Sequence, residues 1–417
     1  MIAKRIIFSL ALGLLASPAM AQSLLISGGK VVTNAGPILE GADVLIQNGK
    51  VTAVGKRLPL PAGGQRIDAS GKWITPGLFA GLTRVGLAEI GLDDSSDIGA
   101  DGDAPLGAAL DAGPAFNPSA ASVGVSRAAG VTRTAIAPEG GLFSGRGAIV
   151  RLDGSPDSIA DSRAFMLLDA GERGAAQANG TRTALWPTLE AALDDGASFP
   201  THYRSGQKGL ALGELDAQAL APFARGEGLL LIRVERAADL LQVIALKRRR
   251  PALQVAVIGA TEGWRVAPQL AAAGIPVLID PMNALPQSFE QLGARLDNAA
   301  LLKAAGVKLS IGLMPGGDEA FQARLVSQYA GNAVANGLRW DDAFAAITSG
   351  PADLFGQNGL GRLSVGAIAD VVIWDGDPLE VTSAAEHVFI AGKEAPLATR
   401  QSALLARYRQ IVLKPKG

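Results

Sequence analysis

The chain has 417 residues, 48% hydrophobic and 18% charged, which is enough apolar material for a large core and excludes a disordered or low-complexity protein. Lysine and arginine (38) nearly balance aspartate and glutamate (39), so the net charge of -1 gives no general reason to bind nucleic acid or an anionic membrane. The chain has no cysteine, which excludes disulfides and lipid attachment through a cysteine.

Basic residues Lys4 and Arg5, an apolar run from Ile6 to Leu15 and the small residues Ala19-Met20-Ala21 follow the order of a secretory signal peptide. Cleavage would leave Gln22 first, and the expectation is a periplasmic or secreted protein with no stable membrane anchor. The apolar run is shorter than the roughly 20 residues that span a bilayer, and a retained signal anchor is the alternative. From Leu24 to Val54 short β-prone pieces are separated by Gly28-Gly29, Gly36-Pro37 and Asn48-Gly49, and the last of these is a hairpin signal. The acidic stretch Asp93 to Asp103 invites a calcium loop, but counting from Asp97 the twelfth position is Ala108 where glutamate is needed; a solvated loop is expected. Between about Asp161 and Thr201 the periodicity is poor and predicts no barrel strand.

Beyond Gly226 strand and helix patterns alternate. Leu229 to Val234 is a continuous apolar run, after which Ala237, Leu240, Leu241 and Ile244 fall at helical spacing. Lys247 to Arg250 form a basic run that complements the carboxyl end of that helix. Further strands are predicted at Leu253–Ile258, Ile275–Ile279 and Val307–Gly312, with helices near Phe289–Lys303 and Asp318–Asn336, the latter stopping at Gly337. After Gly361 the chain returns to β character, and Leu397 to Leu413 is a charged amphipathic helix.

Repeated βα units imply an α/β fold with a parallel sheet covered by helices, and the length suits a (β/α)8 TIM-type barrel; an open doubly wound sheet is the alternative. Strands from both ends of the chain would share one small composite β-sandwich. The division is 1–21 signal peptide, 22–75 first part of the β-domain, 76–360 barrel, 361–395 second part of the β-domain and 396–417 C-terminal helix.

The segment Trp73-Ile74-Thr75-Pro76-Gly77-Leu78-Phe79-Ala80-Gly81-Leu82-Thr83-Arg84 resembles the signature of the amidohydrolase superfamily, in which Pro-Gly-Leu closes a strand and His-x-His follows. Ala128-Ala129-Gly130-Val131-Thr132, Gly361-Arg362-Leu363-Ser364-Val365-Gly366 and Ala369-Asp370-Val371-Val372-Ile373-Trp374 resemble later steps of its imidazolonepropionase-like members, in order and spacing. The resemblance implies the barrel, the composite β-domain and metal-assisted hydrolysis of non-peptide C–N bonds, in which bound water becomes the nucleophile.

The ligand set that the resemblance implies is missing. The whole chain has two histidines, His202 and His387, in contexts that suit structural roles. The His-x-His positions hold Leu82 and Arg84. Arg233 and Gly259 stand where further histidines are expected, and Met314 where an aspartate would be ligand and base. Arginine keeps its proton and has no lone pair to offer a metal. No metal or other cofactor is therefore expected, and no catalytic residue is assigned.

Two mouth arginines, Arg84 and Arg233, are expected to replace the metal charge and pair with Glu235, Glu262 or an anionic ligand. Glu235 alternatively serves as a salt-bridge partner of its neighbours Arg233 and Arg236, and Glu262 as a helix-opening carboxylate. A serine triad fails, since Gly141-Leu142-Phe143-Ser144-Gly145 lacks the G-x-S-x-G order. The reading is an exported, catalytically degenerate amidohydrolase relative that binds a small-molecule ligand or partner, with no role for nucleic acid. The alternatives are a metal-independent hydrolase of a small amide or cyclic amide, and a scaffold for an active homologous amidohydrolase.

Overall fold

The computed structural model describes residues 23–88, 106–178, 180–312 and 322–412. The signal-peptide segment, the acidic stretch Asp93–Asp103 and Met314 lie outside the described residues. The chain opens with β1 (Ser23–Val31), β2 (Leu39–Gln47), β3 (Lys50–Gly55), β4 (Gln65–Asp68) and β5 (Trp73–Pro76). Asn48 and Gly49 take the positive φ angles of +51° and +76° that a tight hairpin needs, which sets Gln47 opposite Lys50 and fixes the β2–β3 register.

Eight barrel strands follow: β6 (Leu78–Thr83), β7 (Val131–Ile136), β8 (Phe143–Arg151), β9 (Ile159–Asp169), β10 (Leu229–Val234), β11 (Gln254–Gly259), β12 (Val277–Ile279) and β13 (Leu309–Ile311). Their order in the sheet is their order in the chain. β6 and β7 run parallel, as do β9 through β13, while β8 is antiparallel to both of its neighbours. The expected eight-strand barrel is present, with one strand reversed. The short link from Arg151 to Ile159, turning at Gly154, leaves no room for a crossover helix, so β8 and β9 must form a hairpin. The ends of the sheet approach each other where β6 meets β13: a Cβ on Gly81 would lie 2.9 Å from the carbonyl oxygen of Ile311.

Alternation along the strands divides two apolar layers. Phe79, Leu82, Phe165, Leu167, Leu231, Ile258, Leu278 and Phe355 fill the barrel interior. Leu78, Val257 and Ile311 face outward to helices such as Ala237–Arg249, which buries Leu240, Val243 and Leu246. The basic run ends that helix as expected: Lys247 donates to the carbonyl of Pro251 (2.9 Å), and Arg250 pairs with Asp194 at 2.7 Å.

The chain then returns through β14 (Val371–Trp374), β15 (Ala385–Ile390) and β16 (Lys393–Glu394). β14 lies antiparallel to β5, with Val371 opposite Pro76, and so joins the two ends in a mixed sheet ordered β16-β15-β14-β5-β1-β2-β3, with β4 beside β1. The expected sandwich is one continuous sheet curled over its own core of Leu24, Ile26, Val44, Ile74, Val371, Ile373 and Phe389. Val51 closes the curl by exchanging backbone bonds with Ala367 (2.9 Å) and Gly366 (2.8 Å). A buried ion pair pins sheet to barrel: Arg133 on β7 donates to Asp370 at 2.6 Å, and Asp370 also accepts the Ala391 N–H at 2.8 Å.

Some expected elements shift. The segment with poor periodicity holds β9 and the helices Glu172–Gln177 and Arg182–Ser198. The helix expected near Phe289–Lys303 is a short 3-10 turn, Phe289–Gln291, followed by a helix over Asn298–Ala304. Within the described part of the helix expected at Asp318–Asn336, a 3-10 turn Ala323–Leu325 leads into Val326–Ala335. The helix nearest the end of the sequence spans Arg400–Val412.

Candidate functional site

The carboxyl ends of the barrel strands carry the candidate residues. Leu231 points into the barrel, so Arg233 two residues on shares that side; Leu167 places Asp169 likewise on the neighbouring strand, in register with Arg233. The two side chains approach to 3.9 Å, Arg233 Nε to Asp169 Oδ2. The other carboxylate oxygen of Asp169 accepts the N–H groups of Gly171 (2.8 Å) and Gly174 (3.3 Å) at the start of the helix Glu172–Gln177. Asp169 ends the apolar run Phe165-Met166-Leu167-Leu168, a strand signal comparable to Leu229–Val234 that sequence reasoning passed over.

Arg84 follows β6 and is mostly buried. It donates through Nε (3.0 Å) and Nη2 to Glu139, beyond β7, and Arg173 reaches the second oxygen of Glu139 at 3.5 Å. Arg84 thus pairs with Glu139, which corrects the expected pairing with Glu235 or Glu262. Leu82 packs among the interior apolar side chains, where it offers a metal nothing.

Glu235 lies just past β10 and is almost wholly buried. Its carboxylate accepts two bonds from Thr261, from the backbone N–H (3.1 Å) and from the hydroxyl (2.6 Å), and Asn283 donates to that hydroxyl at 3.1 Å. Burial pushes the Glu235 carboxyl up to about 7, against the downward pull of the Thr261 bonds and the nearby Arg233 charge. Of the two expected salt-bridge neighbours only Arg233 lies near the Glu235 carboxyl, since Arg236 turns instead to Asp239 at 3.0 Å.

Gly259 explains how that carboxyl fits. It has φ +101°, and a Cβ on it would lie 2.5 Å from Glu235 Oε1. A histidine there would need the volume that Glu235 occupies. Glu262 acts differently. Its carboxylate accepts the N–H of Ala237 at 2.9 Å, capping the helix Ala237–Arg249 across space, and its other oxygen faces Arg265 at 3.4 Å. The short 3-10 turn that Glu262 precedes gets no bond from its side chain.

Beside this cluster, Glu290 accepts the N–H of Glu172 (2.9 Å) and pairs with Arg182, which also reaches Asp239 at 3.2 Å. Burial raises the Glu290 carboxyl above its ordinary range. Asp169, Arg182, Asp239 and Glu290 were not legible as site residues, because their partners come from elements far apart in the chain.

The donor set does not fit the metal centre that the resemblance implies. Among the described residues no group of three or more histidine, aspartate or glutamate side chains could hold an ion. The expected ligand positions present an apolar side chain, two cations and a glycine backed by a carboxyl already bonded to Thr261. What the arrangement can do is hold or move a proton at Glu235 and present paired charge to a polar ligand.

Barrel and curled sheet define an amidohydrolase-type frame, and comparison with known proteins bears this out. Residues 330–395 match the Amidohydrolase family. A dihydroorotase of Trichlorobacter lovleyi is 42% identical over 77 residues, a match that covers 18% of this chain and 18% of that enzyme. Human dihydropyrimidinase-related protein 5 is 46% identical over 54 residues, 13% of this chain and 9% of that protein. Among solved structures, an amidohydrolase from Thermotoga maritima superposes with a TM-score of 0.79 at 22% identity, covering 89% of this chain and 99% of that one. A zinc-bound adenosine deaminase from Xanthomonas campestris gives 0.54 at 19% identity over 93% and 97% of the two chains. The chain thus resembles amidohydrolases in sequence over residues 330–395 and in fold over most of its length, while it spans less than a fifth of the curated relatives it matches.

Proposed function

We propose that this chain is an exported amidohydrolase-superfamily protein that has lost the family's metal centre and uses the barrel mouth to bind a small-molecule ligand or a partner. The observation that carries the reading is the Glu235 carboxyl lodged against Gly259, in the space a ligating histidine would require. Arg84 and Arg233 support it, because a protonated guanidinium at two further ligand positions has no lone pair to offer a metal. The signal-like N-terminal sequence supports export to the periplasm or medium. The test is metal content by mass spectrometry on protein purified without a histidine tag. Substoichiometric zinc, iron and manganese in folded protein is expected; one metal ion per chain overturns the reading.

A second reading, metal-independent hydrolysis of a small amide or cyclic amide, is favoured by one observation. A buried carboxyl raised to about 7 is poised to exchange a proton near neutral pH, as a general acid or base must. Turnover of amide or lactam substrates by metal-free protein, lost in Glu235→Gln, would establish it in place of the first.

A further inference from the structure

The helix Arg400–Val412 differs from the helices that clothe the barrel. Every residue from 400 to 409 is exposed, including Leu404, Leu405 and Tyr408 at 40%, 67% and 52% of their full accessibility. Its start is nevertheless well built. Thr399 Oγ1 accepts the Ser402 N–H at 3.1 Å, and Ser402 Oγ accepts the Thr399 N–H at 2.8 Å, a reciprocal capping box. A helix of this length that buries no stripe over residues 400–409 is marginal in water, so a surface that takes the stripe would stabilise it.

The stripe has a defined chemistry. With about 100° per residue, Leu404, Tyr408 and Leu405 fall within an arc of about 100°, which Gln401 shares as the one polar residue among them. Arg400 and Arg407 flank one side of that arc and Arg409 the other, while Ser402, Ala403 and Ala406 lie opposite. From Arg400 onward the sequence holds Arg400, Arg407, Arg409, Lys414 and Lys416 and no acidic residue. The remainder of the chain is therefore acidic in balance, and the near-zero total hides a local concentration of positive charge.

We propose that the helix Arg400–Val412 docks flat on an anionic lipid surface, with Leu404, Leu405 and Tyr408 entering the headgroup–acyl boundary and the flanking arginines meeting lipid phosphates. Apolar residues bordered by cations on both sides match that boundary, where arginine stems lie along apolar surface and their heads reach the phosphates. Nucleic acid would engage the arginines and leave the three apolar side chains in water. Docking through one amphipathic helix is a peripheral and reversible attachment.

Co-sedimentation of the full chain with phosphatidylcholine vesicles, with and without phosphatidylglycerol, tests this. Binding is expected only with the anionic lipid and weakens as salt approaches about 1 M, where the Debye length is about 3 Å. Arg407→Glu with Arg409→Glu should lower the partition on the order of tenfold or more, and Leu405→Asp with Tyr408→Asp should abolish it. Neither pair should move the thermal melt, since these side chains are exposed. Failure to sediment with anionic vesicles, or sedimentation untouched by both variant pairs, overturns the proposal. So does retained binding in Leu405→Asp with Tyr408→Asp, because charge alone would then suffice. A concentration-dependent dimer dissolved by the same apolar variants, without vesicle binding, would assign the stripe to a second copy instead.

Discussion

Replacing Glu235 by glutamine tests the buried cluster directly. The folded state holds the Glu235 proton up to about 7, against an ordinary 4.5, so the folded chain keeps a proton that the unfolded chain releases between those values. Stability must therefore fall as pH rises through that window and level off above it, since the folded state binds more protons there. At about 1.4 kcal/mol per unit the full swing is roughly 3 kcal/mol. Glutamine keeps the size, retains an oxygen for the two Thr261 bonds and cannot ionise. Urea denaturation of both proteins at about pH 5 and pH 8 reads the effect, because stability is linear in denaturant. The stability of Glu235→Gln relative to the parent should shift in favour of the variant by roughly 2–3 kcal/mol between those values. An unchanged difference at the two pH values would refute the assignment of a buried, proton-holding carboxyl.

Gly259→Ala brings a Cβ to 2.5 Å from the Glu235 carboxyl at a backbone angle of φ +101°, and urea denaturation should show it destabilised by about 1–3 kcal/mol through crowding and backbone strain. Gly259→His should likewise destabilise and leave metal content unchanged, as measured by mass spectrometry. Arg133→Met leaves Asp370 buried without its cation, and a loss of about 3–5 kcal/mol is expected in the same denaturation assay. The pair Arg133→Met with Asp370→Asn should recover part of that loss.

Much of the fold was legible because apolar content and turn chemistry agreed. Leu229–Val234 is a strand at the expected residues, and Asn48-Gly49 turns the expected hairpin. The reversed strand was not legible. β8 contains Gly145 and Gly147 and so lacks the continuous apolar run of a buried parallel strand, and β9 begins with the largely exposed Ile159-Ala160-Asp161-Ser162-Arg163 before its apolar run starts at Phe165. The helix Arg182–Ser198 buries Leu185, Leu189, Ala192 and Leu193 at helical spacing, but Pro187 inside it masks the pattern. At the site, the sequence showed that the histidines implied by the resemblance do not stand at the matching positions. It could not reveal that the Glu235 carboxyl had taken the volume, because that depends on the left-handed backbone at Gly259 and on Thr261 folding back toward the end of β10.

The pairing of β14 with β5 also governs the order in which the protein can assemble. Trp73 meets Trp374 across that ladder, so one edge of β5 stays without its neighbour until β14 has been synthesised, long after β5. The barrel strands lie between these two segments and emerge first, yet Asp370, the buried partner of Arg133 on β7, arrives only with the returning segment. Contacts this distant in the chain slow folding and prolong the exposure of an open sheet edge. A product cut short before Val371 would present β5 as a template for aggregation. The arrival of β14 is thus a condition for closing that edge of the sheet.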